Sequence, residues 1–213
     1  MKYQYILLDW DGNLAKTLDI WVEAERAVLA SRGFNMSDEQ LGASIGSFQS
    51  SMMEWGVSDA AAAVGEVEAI ARRTLPEVEL YPDAMEVLED LHRQGKQLAL
   101  ITTSARADVL HLMDKHNLSR LFDTVVAGDD VTHHKPHPEP LEKALSELGG
   151  TKDIAVMIGD SSKDIGAAHN AGIDSILFYP PEHAKFYDFE TLKSLKPTYI
   201  VHDFKDILTI VRS

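Results

Sequence analysis

The stretch Tyr-Ile-Leu-Leu-Asp-Trp-Asp-Gly-Asn-Leu, residues 5–14, decides the interpretation of this chain. Its first four residues form a short apolar run that ends before a glycine turn, which predicts a buried β-strand. Asp9 then lies at the carboxyl end of the strand, where open α/β sheets bind ligands. The two-residue period of a strand turns Trp10 away and returns Asp11 to the side of Asp9. Two carboxylates facing one crevice favour a bound cation, because their mutual repulsion is otherwise costly.

A local interpretation of the same stretch stays open. Asp and Gly are favoured in turns for backbone reasons alone, so Asp9-x-Asp11-Gly12 could be a turn without chemistry. If the chemistry is real, it consists of a carboxylate nucleophile, a metal ion and a second carboxyl group that moves protons. Polar residues after later apolar segments decide between the two interpretations.

Two carboxylates follow the apolar segment 156–159. Asp160 lies at the predicted strand end, and Asp164 lies four residues later, where both can share one face of the helix start. This position favours metal ligation by Asp160. A second interpretation stays open for Asp164, since Ser161-x-x-Asp164 resembles a capping box that stabilises a helix start.

Hydroxyl and amino groups follow two further predicted strands. Thr102, Thr103 and Ser104 precede a helix, and hydroxyls with free backbone N–H groups at such a place form a phosphate seat. Ser104 could instead only cap that helix. Lys135 lies in a proline-rich loop after the predicted strand 124–127, where it is either a solvated charge or the cation that a phosphate between carboxylates requires.

Strands and helices alternate from residue 81 onward, which predicts a parallel, doubly wound sheet and therefore an α/β fold. Right-handed crossovers gather the carboxyl ends of the strands on one edge, where the candidate residues would meet. The predicted strands are 97–102, 124–127, 155–159, 174–178 and 198–201, and the predicted helices are 83–94, 106–116, 139–148, 163–171, 183–194 and 203–211.

Taken in order, these motifs resemble those of the haloacid dehalogenase superfamily. They are Asp9-x-Asp11-Gly12-x-Leu14, the strand ending at Thr102, Lys135-Pro136 and Gly159-Asp160-x-x-x-Asp164. Each motif alone is weak, and only their ordered combination is specific. The resemblance, closest to the phosphoglycolate phosphatase and β-phosphoglucomutase branch, spans nearly the whole chain apart from residues 15–80.

The resemblance implies a role for each motif residue. The residue matching Asp9 attacks phosphorus, and the residue matching Asp11 is the general acid and base. The matches to Thr102, with its neighbour Thr103, and to Lys135 hold the phosphoryl group. The expected activity is hydrolysis of a small phosphate monoester, resembling phosphoglycolate or a sugar phosphate, through an aspartyl-phosphate.

The resemblance also implies a Mg²⁺ site. Asp9, Asp160 and the backbone carbonyl of Asp11 would hold the ion, and Asp164 would support the site. The chain departs from the family pattern at Asn13, where threonine is usual, and at Lys16, where an acidic residue is usual. Asn13 can still bond the turn backbone, and the Lys16 side chain could meet the substrate.

Residues 15–80 interrupt the alternation and predict an α-helical cap inserted into a Rossmann-like catalytic core of residues 1–14 and 81–213. Four helices are expected: one from Leu18 that ends before Gly33, one opened by a capping box at 37–40, and two over 47–55 and 59–73. The hinges are expected near 15–16 and 80–81.

The cap is the part of the chain from which specificity is expected. The candidate substrate-facing loop is Ser44, Gly46, Ser47, Phe48 and Gln49, although an ordinary interhelical connection is an equal interpretation. The aromatic and methionine side chains of the cap are expected in its core: Trp21, Met52, Met53 and Trp55. The arginines of the cap are expected on solvated helix faces, from which one could reach a substrate anion: Arg26, Arg32, Arg72 and Arg73.

Composition limits the classes of partner. The net charge of −14 argues against nucleic acid, and no apolar run approaches the ~20 residues of a membrane span. The absence of cysteine and of a signal-peptide layout at the N-terminus leads us to expect a cytoplasmic protein. The expected partner is a small phosphorylated metabolite, bound by a monomer or small homo-oligomer.

Alternatives to a phosphatase stay open. A phosphomutase of the β-phosphoglucomutase type would use the same residues, and a non-catalytic relative would bind a phosphorylated ligand without turnover. A phosphonate-cleaving relative would require a Schiff-base lysine, for which the cap offers only Lys16. A dehalogenase is disfavoured, because that branch lacks the carboxylate matching Asp11.

Overall fold

The computed structural model describes residues 2–212, so Met1 and Ser213 of the predicted core lie outside the described residues. Six strands occupy this part of the chain: β1 Tyr5–Leu8, β2 Gln97–Ile101, β3 Thr124–Val126, β4 Ala155–Gly159, β5 Asp174–Phe178 and β6 Tyr199–Val201. The helices within it are α1 Leu18–Ser31, α2 Asp38–Ser44, α3 Phe48–Glu54, α4 Ala60–Thr74, α5 Ala84–Arg93, α6 Arg106–Lys115, α7 Glu139–Glu147, α8 Ser162–Ala171, α9 Phe189–Ser194 and α10 Asp206–Arg212.

The six strands form one parallel sheet in the order β3-β2-β1-β4-β5-β6. This arrangement confirms the predicted doubly wound α/β fold. The chain moves from β1 outward to β3 and then crosses to β4, so the strand order reverses beside β1. A crevice at such a switch point, outside the carboxyl ends of the strands, is where open sheets bind ligands.

The apolar strands are explained by helices on both faces of the sheet. Leu7 packs with Ala99 and Met157 on one face, whereas Ile6 and Leu8 belong to the cluster on the other face. Both faces of a parallel sheet are buried, so its central strands are apolar at every position rather than at alternate ones.

Helices α1–α4, here called the helical insert, lie between β1 and β2. Its two connections run side by side: the Lys16 N–H donates to the Glu79 carbonyl at 2.9 Å, and the Tyr81 N–H donates to the Leu14 carbonyl at 2.9 Å. The predicted capping box is present, since Ser37 and Gln40 exchange side-chain and backbone hydrogen bonds. The predicted division into cap and core at these residues stays a prediction.

Two local predictions were wrong. The predicted helix 183–194 is broken, because a 3₁₀ turn ends near Lys185 and Asp188 caps a new helix by accepting the Thr191 N–H at 2.8 Å. The Met53 side chain is not in the insert core but 63% exposed. At the surface of the insert, the Arg32 guanidinium pairs with two carboxylates, those of Asp59 and Glu66.

Two other expectations concern polar side chains near the first turn. The Asn13 amide donates to the Asp9 carbonyl at 3.0 Å, so this departure from the family pattern still bonds the turn backbone as expected. The Lys16 ammonium lies 5.7 Å from the centre of the Tyr81 ring. Within residues 2–212, the helices are all too short or too polar to cross a membrane.

Candidate active site

Lys135 joins two carboxylates at the carboxyl edge of the sheet. Its Nζ lies 2.7 Å from Asp9 Oδ1 and 2.7 Å from Asp164 Oδ1, and it donates to the Ile101 carbonyl at 3.2 Å. All three side chains are buried. Lys135 is therefore not a solvated charge, and removing it would leave two carboxylates without their cation.

Three buried carboxylates surround one point. Oxygens of Asp9, Asp160 and Asp164 lie within 4.8 Å of one another, and the Asp160 Oδ2 atom has no hydrogen-bond partner among the described residues. Burial, with the neighbouring charge of Asp164, raises the pKa of Asp9 and of Asp160. One lysine cannot balance three carboxylates, so the donor set fits a hard divalent cation that prefers oxygen ligands.

Gly12 allows the turn to approach Asp160. Its φ is +70°, and a Cβ atom built on it would lie 2.2 Å from Asp160 Oδ2. Only glycine adopts this backbone readily and leaves this space. Glycine is therefore required at position 12 because the Asp160 carboxylate, which follows β4, lies against it.

Asp164 forms the predicted capping box and also faces the other carboxylates of the site. Its Oδ2 accepts hydrogen bonds from the Ser161 N–H at 3.1 Å and from the Ser161 hydroxyl at 2.6 Å, which forms the capping box of α8. Its Oδ1 accepts from Lys135. The helix cap thus fixes the orientation of a carboxylate that also faces the site.

Asp11 is held by side chains from both sides. The Trp21 indole donates to its Oδ1 at 2.7 Å, and the Ser104 hydroxyl donates to its Oδ2 at 3.2 Å. Burial raises the pKa of Asp11, against hydrogen bonds from Thr17, Trp21 and Ser104 that lower it. The prediction that Ser104 caps α6 was wrong, because Ala105 occupies the cap position.

The two threonines after β2 have different surroundings. Thr102 is buried, and its hydroxyl accepts the Ser104 N–H at 3.0 Å. Thr103 meets the helical insert, since a Cβ atom at Gly46 would lie 3.0 Å from the Thr103 hydroxyl oxygen. Both are placed at the predicted edge, and their role as a phosphate seat stays a prediction.

Two residues at the site were missed by the sequence analysis. The Lys163 Nζ donates to the Ala43 carbonyl at 3.0 Å and to the Ile45 carbonyl, which ties α8 to the loop after α2. The Tyr187 hydroxyl contacts Asp160 and adds to the polar groups around this carboxylate. Neither belongs to a recognisable motif, because each reaches the site only through tertiary packing.

Two cavities meet at Asp11 and Lys135. A cavity of about 20 Å³ adjoins Asp9, Lys135 and Asp160. A second cavity of about 490 Å³ lies between the helical insert and the sheet. The predicted loop residues Ser47, Phe48 and Gln49 line this second cavity.

Asp9 and Asp11 both adjoin the smaller cavity and Trp10 does not, as the two-residue alternation predicted, although Trp10 and Asp11 both line the larger cavity. The strand β1 itself ends at Leu8. The Trp10 carbonyl then accepts the N–H groups of Leu14 and Ala15, which forms a tight turn instead of an extended strand.

The four motifs all lie within a stretch of this chain that matches a known protein family. A family model described as haloacid dehalogenase-like hydrolase matches residues 6–178. The pyrophosphatase PpaX of Halalkalibacterium halodurans is 37% identical over 134 residues, which are 63% of this chain and 60% of that protein. The PpaX of Oceanobacillus iheyensis is 34% identical over 134 residues. The matched stretch thus spans about 60% of the length of these relatives.

Solved structures match over nearly the full chain. A proposed haloacid dehalogenase-like hydrolase from Bacteroides fragilis is 26% identical, with a TM-score of 0.83 over 97% of this chain and 100% of the other. A proposed phosphoglycolate phosphatase from Lactobacillus plantarum shares the fold, with a TM-score of 0.86 at 24% identity over 98% and 99% of the two chains. Together with the match over residues 6–178, these findings show that the chain belongs to the haloacid dehalogenase-like hydrolase family.

Proposed function

We propose that this chain is a Mg²⁺-dependent phosphatase that hydrolyses a phosphate monoester of a small molecule through an aspartyl-phosphate on Asp9. The observation that carries the proposal is the placement of Lys135 between Asp9 and Asp164, beside a carboxylate, Asp11, that forms no ion pair within residues 2–212. A buried nucleophile, a cation for the phosphoryl oxygens and a separate proton carrier are the groups that this reaction requires.

In the first step, a carboxylate oxygen of Asp9 attacks phosphorus as the bond between phosphorus and the ester oxygen breaks. Asp11, protonated at this stage, gives its proton to the departing alcohol oxygen. Hydrogen bonds from Trp21 and Ser104 fix the orientation of the Asp11 carboxyl group during this transfer. Lys135 neutralises charge on the phosphoryl oxygens, where electrostatic stabilisation is most effective.

In the second step, Asp11 as a carboxylate takes a proton from water, and the water oxygen attacks the phosphorus of the aspartyl-phosphate. The phosphorus–oxygen bond to Asp9 breaks, which releases phosphate and restores both carboxyl groups. Asp9, Asp160 and the Asp11 carbonyl would hold Mg²⁺, with Asp164 supporting the site, and the bound ion would supply positive charge that offsets the anionic transition state. Closure of the helical insert would exclude other water molecules from the site.

The direct test is phosphate release from a panel of small monoesters, with Mg²⁺ or with EDTA. We expect release only with Mg²⁺, and none from Asp9→Asn, which keeps the shape of the side chain and removes the nucleophile. Turnover by Asp9→Asn would overturn the mechanism. Dependence of turnover on an added bisphosphate would instead support a phosphomutase, and binding without turnover a non-catalytic relative.

A second measurement tests the metal site without relying on turnover. Mg²⁺ that binds only the folded protein raises its melting temperature. We expect this increase in the native chain and its loss in Asp160→Asn. Asp153→Asn, at an exposed carboxylate in the turn before β4, is the matched control and should keep the increase.

A further inference from the structure

We infer that the proposed substrate carries a bulky, ring-bearing leaving group without a second negative charge. This inference rests on the proposed phosphatase function and concerns the alcohol part of the monoester. It is carried by the size of the larger cavity, by the side chains that line it and by the charges at its rim.

The larger cavity exceeds the needs of a very small leaving group. Its volume is about 490 Å³, which corresponds to roughly sixteen waters at about 30 Å³ each. Asp11 and Lys135 line it, so a phosphoryl group at Asp9 directs its leaving group into this space. The carboxymethyl group of phosphoglycolate or the second phosphate of pyrophosphate would leave most of the volume to water.

Apolar side chains form the larger part of the cavity walls, and polar side chains form the rest. Aromatic rings come from α1 and α3, where Trp21 and Phe48 lie 5.5 Å apart between ring centres at an angle of 44°. Aliphatic side chains add to this apolar part, and polar side chains line the remainder: Val64, Leu75, Val109 and Leu112, and Gln49, Ser50, Thr103 and His134, respectively. Such walls favour an apolar or aromatic body, since pockets of this kind bind through buried apolar surface with few polar contacts.

The charged groups at the cavity do not favour a second anion. Arg72 donates from Nε and Nη2 to Asp108 Oδ2 at 3.0 and 2.9 Å, and Nη2 lies 3.5 Å from Glu68 Oε2. Lys135 is engaged by the catalytic carboxylates. Among the described residues that line the cavity, the Lys and Arg side chains are therefore all paired with carboxylates.

These charges distinguish this chain's cavity from one built for a diphosphate or a bisphosphate. A second phosphate or carboxylate there would face Glu68 and Asp108 and would have to displace one of them from Arg72. Like charge disfavours such a ligand, which is how binding sites reject competitors. The inference thus separates this chain from the pyrophosphatase activity named for its PpaX relatives.

The test compares monoesters matched in leaving-group chemistry. Benzyl phosphate, 4-(aminomethyl)benzyl phosphate and 4-carboxybenzyl phosphate have similar size and differ in charge, and phosphoglycolate and pyrophosphate serve as small anionic substrates. We expect kcat/KM for benzyl phosphate to exceed that for phosphoglycolate and pyrophosphate by about tenfold or more, the range that apolar pocket contacts supply. The carboxybenzyl ester should be hydrolysed about tenfold less well than the aminomethyl ester.

Two variants and a control test whether the preference for an uncharged, ring-bearing leaving group comes from this cavity. Phe48→Ala should lower kcat/KM for benzyl phosphate about tenfold and leave phosphoglycolate nearly unchanged, whereas Met53→Ala, at an exposed residue outside the cavity, should change neither. Asp108→Asn removes the main partner of Arg72 and should raise hydrolysis of the carboxybenzyl ester relative to benzyl phosphate.

Each outcome separates this inference from the function on which it rests. Faster hydrolysis of phosphoglycolate or pyrophosphate than of benzyl phosphate would overturn the inference and leave the phosphatase proposal standing. Equal hydrolysis of the carboxybenzyl and aminomethyl esters would overturn the part that concerns charge. No release from any of the compounds with Mg²⁺ would overturn the proposed function, and this inference with it.

Discussion

The indole Nε1 of Trp21, on the first helix of the helical insert, donates a 2.7 Å hydrogen bond to Oδ1 of Asp11 in the loop after β1. The proposed proton carrier is therefore oriented by a residue of the insert as well as by Ser104 of the sheet edge. Since α1 also packs on α4, a movement of the insert would move the donor that fixes Asp11. If the insert closes over the site as proposed, this hydrogen bond would couple its closure to the orientation of Asp11.

Replacing Trp21 by phenylalanine keeps an aromatic ring and removes this donor. A hydrogen bond to a charged group contributes about 1.5–3 kcal/mol, so we expect kcat for phosphate release to fall roughly tenfold to a hundredfold. KM should change less, because the lost contact orients the proton carrier rather than the phosphoryl group. Steady-state kinetics with Mg²⁺ measures both constants.

Trp55→Phe is the matched control for that substitution. Trp55 lies in the same insert, packs against its core and contacts neither Asp11 nor the larger cavity. We expect its kcat to remain close to that of the native chain. A similar loss in both variants would mean that the effect comes from packing of the insert and not from the bond to Asp11.

Lys135 should be required for stability as well as for turnover. Its removal in Lys135→Met leaves Asp9 and Asp164 buried without their cation, and breaking a buried pair in this way costs about 3–5 kcal/mol. We expect the free energy of unfolding, measured with urea in EDTA, to fall by about this amount. Lys152→Met, which breaks an exposed pair with Glu142, should cost less than about 1 kcal/mol. Equal losses in the two variants would contradict the proposed burial of charge.

Gly12 should be irreplaceable for two separable reasons. Gly12→Ala places a side chain at a positive φ and drives its Cβ into Asp160, whereas Gly33→Ala has a φ of +81° with no atom within 4 Å. The control therefore measures the backbone cost alone, about 1–2 kcal/mol. We expect Gly12→Ala to lose more stability than the control and also its Mg²⁺-induced rise in melting temperature. A loss of stability equal to that of Gly33→Ala, with the rise retained, would argue against the close approach.

The sheet edge could be predicted from the sequence because its signals are local. An apolar run followed by Asp9, Thr102 or Asp160 marks both a strand and its end, and the parallel topology then brings distant ends together. Lys135 follows the same logic, since its loop comes after β3. The strand bounds therefore agree with the prediction to within one residue, and the sheet is parallel as predicted, even though no single motif was decisive.

The remaining site residues depend on packing that no local pattern contains. Trp21 lies on the apolar stripe of α1 and was predicted as core, because the bond made by its indole N–H is set by how the insert lies on the sheet. Lys163 and Tyr187 reach the site in the same way. The break between Lys185 and α9 is different, since Asp188-x-x-Thr191 is a helix-start signal that the sequence contained.

Glu25 is a buried carboxyl group of the insert that the proposed chemistry does not use. Its Oε2 accepts the Ser44 hydroxyl at 2.5 Å, and its Oε1 has no partner among the described residues. Burial raises the pKa of Glu25 from 4.5 to about 7, against smaller opposing effects of the Ser44 bond and the Lys163 charge. The folded state therefore holds this proton more tightly than the unfolded state does.

Glu25→Gln should stabilise the protein above neutral pH. As the pH rises from 4.5 towards about 7, the unfolded state of the native chain releases its proton first, so folding stability is lost across this window. This loss of folding free energy is complete above pH 7 and amounts to roughly 3 kcal/mol. Glutamine does not titrate, so Glu25→Gln avoids the loss. We expect urea unfolding to show little difference between the native chain and Glu25→Gln at pH 5, and a more stable variant at pH 8. Glu23→Gln, at an exposed residue of the same helix, should show no such dependence. An equal difference at the two pH values would mean that Glu25 keeps its ordinary pKa in the folded protein.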